Sequence, residues 1–153
     1  MLYTKSETKA LSKRQQIAYE KQCVKAEKIL GNGKKVAKVL RKARKIFERL
    51  HNIPRCDGLC KNICCFCDLL SDYFDGNYSN LPLSTIVALL AGLLYLVLPI
   101  DVIADYLPIL GYLDDAAVLG FVIAAEHNDI KEYLEWKKQQ AIVAGGTVLQ
   151  NID

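Results

Sequence analysis

Residues 81–100 form a run of twenty residues without one charged side chain. A stretch of that length and polarity has two physical outcomes. It crosses a bilayer, whose hydrocarbon core of about 30 Å takes about 20 helical residues, or it becomes the central helix of a bundle, wrapped on all sides by other helices. Either outcome makes the centre of the protein helical. A second apolar run, 116–125, follows an acidic connection bearing Asp101, Asp105, Asp114 and Asp115, and ends at Glu126 and His127. A chain of 153 residues suffices for one domain with a real core. The expected fold is all-α, a helical bundle built around an apolar helical hairpin with an acidic turn.

The flanking sequence adds amphipathic helices. A polar helix is expected over 6–30, stopped by Gly31-Asn32-Gly33, two helix breakers around a residue that tolerates left-handed backbone. Over 34–50 the apolar residues Val36, Val39, Leu40, Ala43, Ile46, Phe47 and Leu50 recur at three and four. Lys35, Lys38, Arg41, Lys42, Lys45 and Arg49 fill the remaining surface, which makes a strongly basic helix ended by Asn52-Ile53-Pro54. A third helix is expected over 60–74, up to the turn Asp75-Gly76-Asn77. Pro99 is the natural stop for the charge-free run. A last helix begins near Asp129, where Asp129-x-x-Glu132 has capping-box spacing, and Gly145-Gly146 opens a frayed tail. These boundaries suggest a basic helical extension at 1–55, a helical domain at 56–143 and a flexible tail at 144–153.

The motifs Leu69-Leu70-Ser71-Asp72-Tyr73, Pro99-Ile100-Asp101-Val102-Ile103-Ala104-Asp105 and Leu107-Pro108-Ile109-Leu110-Gly111-Tyr112-Leu113-Asp114-Asp115 resemble the YkvA-like family, a bacterial domain of unknown function. The resemblance spans roughly 69–137. It departs from the family pattern at Ala104, where a second proline usually precedes the aspartate, so a less rigid turn is expected. The resemblance implies a helical hairpin often treated as membrane-embedded, with no established activity, cofactor or substrate.

Charge divides the chain. Residues 1–55 hold 16 Lys and Arg against 4 Asp and Glu, and residues 56–153 hold 4 against 13. The basic half is attracted to polyanions, to an anionic membrane surface, or to the acidic half of the same chain. No zinc finger, RRM-type or helix-turn-helix signature accompanies it, so nucleic acid is not the expected partner. No secretory signal is legible at the amino end, which points to a cytoplasmic start. Lys and Arg are absent from 81–125 and crowd the amino-terminal side, the charge bias of a hairpin with both ends inside. Yet the second arm reaches spanning length only by burying Asp114 and Asp115, at about 3 kcal/mol each near a bilayer centre. Membrane association is expected, as a hairpin that spans or partly inserts and resists a carbonate wash, with the basic helix on the anionic inner surface. The soluble alternative makes both runs central helices of a bundle.

Three roles are open to the aspartates. Asp101, Asp105, Asp114 and Asp115 suit a hard divalent cation, which takes oxygen ligands. They suit equally the caps of short helices, Asp101 after Pro99 and Asp114 ahead of 116–125, or docking of the basic half. Cys60-x-x-x-Cys64-x-x-Cys67 matches the spacing of radical-enzyme cluster ligands, but the barrel such enzymes build is excluded by length and by the lack of strand patterning. Cys56, Cys60 and Cys64 recur every four residues, a helical stripe suited to buried thiols, with a metal site or acylation as alternatives. His51 and His127 stand at helix ends without a catalytic triad around them. The expected function is a non-enzymatic membrane accessory or adaptor, without a predicted cofactor and with a protein partner in view. The alternative is a soluble cytoplasmic protein using the aspartates for a cation or for hydrolysis.

Overall fold

A computed structural model describes the backbone of residues 11–103 and 108–152, with side chains in those ranges except at 55, 98–103, 108–114 and 145–152. Its helices are α1 (Lys13–Ile29), α2 (Gly33–Leu50), α3 (Asp57–Phe74), α4 (Leu83–Ile103), α5 (Pro108–Ala125) and α6 (His127–Ile152), with a 3-10 turn at Pro54–Cys56 leading into α3. No strand occurs among the described residues, and the fold is all-α.

α4 has no polar face to show to water, so it takes the middle of the bundle. Every residue from 85 to 97 is buried, Ile86, Leu89, Leu90, Leu93 and Leu96 completely so, each leucine or isoleucine worth about 1.5–3 kcal/mol of burial. α1, α2, α3 and α5 all pack against it. Gly92 permits the tightest of these approaches, because a Cβ there would stand 3.0 Å from Leu119 Cδ2 of α5 and 3.1 Å from Phe66 Cε2 of α3. Across α1 the buried Tyr19 hydroxyl donates to the Ala88 carbonyl at 3.2 Å. At the amino end of α4 the buried Thr85 hydroxyl lies 2.6 Å from Asp129 Oδ2 and 3.0 Å from Glu126 Oε2. Two carboxylates near a helix amino terminus are electrostatically favoured by its dipole.

Several boundaries differ from expectation for local reasons. α1 begins at Lys13 because Ser12 and Gln15 form a complete capping box, with Ser12 N–H donating to Gln15 Oε1 and Gln15 N–H to Ser12 Oγ. Asn32 is the N-cap of α2, at φ −116°, and is not a left-handed residue; its side chain accepts from the Lys35 N–H. Gly76 is the one described position with positive φ, at 83°, and makes the turn after α3. α4 runs past Pro99 to Ile103, so the proline is not its stop. Pro108 opens α5 at a position where its missing N–H costs nothing. Asp114 and Asp115 consequently lie inside α5, and Asp114 does not cap a helix at 116–125. α6 starts at His127, and Asp129 bonds to Thr85 where a capping box was expected. Its backbone continues through Gly145-Gly146 to Ile152.

Among the described residues no helix is long and apolar enough to cross a membrane. Within the bundle, the surface of α4 over 85–97 faces protein on every side.

Candidate functional site

α2 carries two stripes one residue out of step. Val36, Val39, Ala43, Ile46 and Leu50 are buried, while Lys35, Lys38, Lys42, Lys45 and Arg49 repeat at the same three-four spacing beside them. Lys35, Lys38, Arg41, Lys45 and Arg49 are exposed and Lys42 is half-buried. The stripe extends about 21 Å along the helix, at 1.5 Å per residue. Among the described residues no carboxylate pairs with Lys35, Lys38, Arg41, Lys45 or Arg49. Arg44, the cation on the other flank of α2, docks on the acidic half of the chain: it faces Asp68 of α3 at 3.6 Å and donates to Ser71 Oγ at 3.1 Å. Lys35, Lys38, Arg41, Lys45 and Arg49 are thus solvated cations on a helix fixed by its apolar back. Each cation contributes about 1 kcal/mol at an anionic lipid surface, an attraction that salt screens.

A polar network joins α2, α3 and α6. Tyr133, fully buried, donates its hydroxyl to Asp72 Oδ2 at 2.6 Å. Lys137 Nζ reaches Asp68 at 3.1 Å, the Tyr133 hydroxyl at 3.3 Å and Asp72 at 4.0 Å. Burial first, and then the hydrogen bond to Asp72, raises the Tyr133 phenol above its ordinary range, so it stays a donor. These residues escaped the sequence reading, although Asp68 and Asp72, like Tyr133 and Lys137, stand four apart on one helix face. Tyr78 closes the cluster, edge-on to Tyr133 with ring centroids 5.2 Å apart and tilted against Trp136 at 5.0 Å.

The thiols lie mostly within the core. Cys23, Cys56, Cys60 and Cys67 are buried, and Cys64 and Cys65 are half-buried. Burial pushes Cys65 up to about 11. It pushes Cys67 up to about 12 against the lowering effect of Arg44. Cys60 and Cys64 are raised by the same cause, with Asp68 adding to Cys64. Thiols held protonated are weak nucleophiles and weak metal ligands. Among the described residues no group of three or more His, Cys, Asp and Glu could hold a metal ion.

These shifts set an alkaline limit. The unfolded chain releases the thiol protons near their ordinary value of 9.0 while the folded chain retains them. The stability is fully present below pH 9 and is lost as pH rises toward 11–12, at up to about 1.4 kcal/mol per pH unit for each thiol. The urea midpoint is expected to fall from pH 9 to pH 11, and Cys67→Ala to make that fall shallower than in the wild type. Equal slopes in the two proteins would refute the assignment.

Of the four hairpin aspartates, Asp115 is buried in α5 at 1% exposure. The side chains of Asp101 and Asp114, and the whole of Asp105 with Ala104, lie outside the described residues. A divalent cation on these four therefore stays a proposal, tested by a thermal shift in response to Mg, Ca, Mn or Zn. His51 keeps to its helix end, with Nδ1 2.6 Å from the Glu48 carbonyl and its ring stacked on Phe47 at 5.8 Å.

Residues 85–121, which include the enclosed part of α4 and most of α5, match the family model described as a protein of unknown function, DUF1232. The chain is 35% identical over 79 residues to the uncharacterized membrane protein YkvA of Bacillus subtilis (strain 168), covering 52% of this chain and 74% of that protein. No solved structure matches.

Proposed function

The chain belongs to the YkvA-like family of proteins of unknown function (DUF1232), and on that footing we propose that it is a non-enzymatic accessory or adaptor protein of the membrane surface. The bundle sits on the anionic cytoplasmic leaflet through the basic stripe of α2, leaving its other faces for a protein partner. The observation that carries this reading is the row Lys35, Lys38, Lys42, Lys45 and Arg49, which lies on a helix held rigid by its buried back. Five or six such cations supply several kcal/mol of attraction to an anionic leaflet, enough for reversible attachment without a spanning segment. The membrane description of the YkvA relative agrees with this reading.

Anchoring by insertion of 81–125 is the other form of membrane attachment. The absence of Lys and Arg from that segment favours it. It requires residues 85–97 to exchange their packing against α1, α2, α3 and α5 for lipid. Vesicle flotation separates the two forms. Surface attachment predicts co-flotation with phosphatidylglycerol vesicles at low salt, little with pure phosphatidylcholine, and release as salt is raised. Flotation with both vesicle types at high salt would support insertion and overturn the surface reading. Failure to float with either type would remove membrane attachment altogether.

A further inference from the structure

At the amino-terminal half of α2 the basic stripe stops being a plain surface. Lys35, Lys38 and Lys42 of α2 and Lys25 of α1 rim a cleft of about 290 Å³ that reaches α4. Its floor is apolar, formed by Ile29, Val39, Leu94 and Val97, none more than 8% exposed. Among the described residues no acidic side chain lines it. The ammonium groups of Lys25, Lys35 and Lys38 above a hydrocarbon floor are complementary to a molecule with an anionic head and an apolar body. The volume, about that of ten water molecules, admits a phosphate with its glycerol and a few methylenes, and leaves the rest of an acyl chain outside.

We propose that this cleft seats the head group of one anionic phospholipid, its phosphate among Lys25, Lys35 and Lys38 and its first carbons against Leu94 and Val97. The proposal rests on the membrane-surface reading and gives that surface a specific site. It also divides the stripe: Lys35 and Lys38 hold the lipid, whereas Arg41, Lys45 and Arg49 lie outside the cleft and contribute only general attraction.

The test uses the full chain and dihexanoyl phosphatidylglycerol below its micelle concentration, followed by calorimetry and by amide shifts. Saturable one-to-one binding is expected, with little from dihexanoyl phosphatidylcholine or inorganic phosphate alone. The double variant Lys35→Ala/Lys38→Ala, changed at exposed positions that leave the core intact, is expected to bind about tenfold more weakly or worse. Lys45→Ala/Arg49→Ala is expected to match the wild type. Val97→Trp, which fills the cleft without altering charge, supplies a second check once its melting curve is shown to be cooperative, and is expected to abolish binding. Equal weakening in the two double variants, or equal binding of inorganic phosphate, would overturn the cleft. Binding to anionic vesicles without saturable short-chain binding would overturn the cleft and leave the surface reading intact, whereas loss of vesicle binding in the wild type would overturn both.

Discussion

Replacing Gly92 with leucine is expected to lower the stability of the bundle by about 3 kcal/mol or more, against typical totals of about 5–15 kcal/mol. The first added carbon would already stand 3.0 Å from Leu119 and 3.1 Å from Phe66. Both of those side chains are fully buried, so neither can swing into solvent, and three further carbons must push α3 or α5 away from α4. Gly92→Ala sets a gain in helix propensity of about 1 kcal/mol against the same close contacts and is expected near neutrality. Gly120 of α5 supplies the opposite sign: nothing lies within 4 Å of a Cβ there, and Gly120→Ala is expected to stabilise by up to about 1 kcal/mol. Urea unfolding of the three variants checks the series. A Gly92→Leu protein as stable as the wild type would mean that α4 does not run between α3 and α5 as described.

Charge reversal on α2 is the second large effect. Lys38→Glu, Lys45→Glu and Arg49→Glu together remove three attractive charges from the face proposed to meet the membrane and install three repulsive ones. At about 1 kcal/mol per cation near an anionic leaflet, affinity for phosphatidylglycerol vesicles is expected to fall by a hundredfold or more. All three positions are exposed, and the buried stripe behind them is untouched, so the melting temperature should change little. Reversal of Arg44 is expected to behave differently, because its partners are Asp68 and Ser71 of α3: it costs stability and leaves vesicle binding nearly intact. Vesicle affinity unaffected by the triple reversal would exclude α2 as the contact.

The ease of reading differed sharply between elements. α2 was legible almost residue by residue, since apolar and basic positions alternate on a helical period and the observed buried set follows that stripe. α4 was legible as a helix and ambiguous in its surroundings. An absence of charge states only that a segment avoids water, and lipid and protein are equally good at excluding it. That α1, α2, α3 and α5 cover residues 85–97 is a property of the tertiary packing, which no local pattern states. The start of α5 was hidden by Gly111 and the Asp114-Asp115 pair, which imitate a loop, although Pro108 is a normal first helical residue. The network of Asp68, Asp72, Tyr133 and Lys137 could be glimpsed only as two separate four-residue spacings. Its meaning depends on α6 crossing α3, which no local pattern encodes.

Surface attachment without a spanning segment is the central claim, and membrane fractionation of the full chain expressed without detergent tests it most directly. The protein is expected to sediment with membranes at low ionic strength and to be released by a wash near 1 M salt, where the Debye length is about 3 Å. Retention in the pellet through both high salt and alkaline carbonate would contradict the claim and assign the anchor to an inserted hairpin.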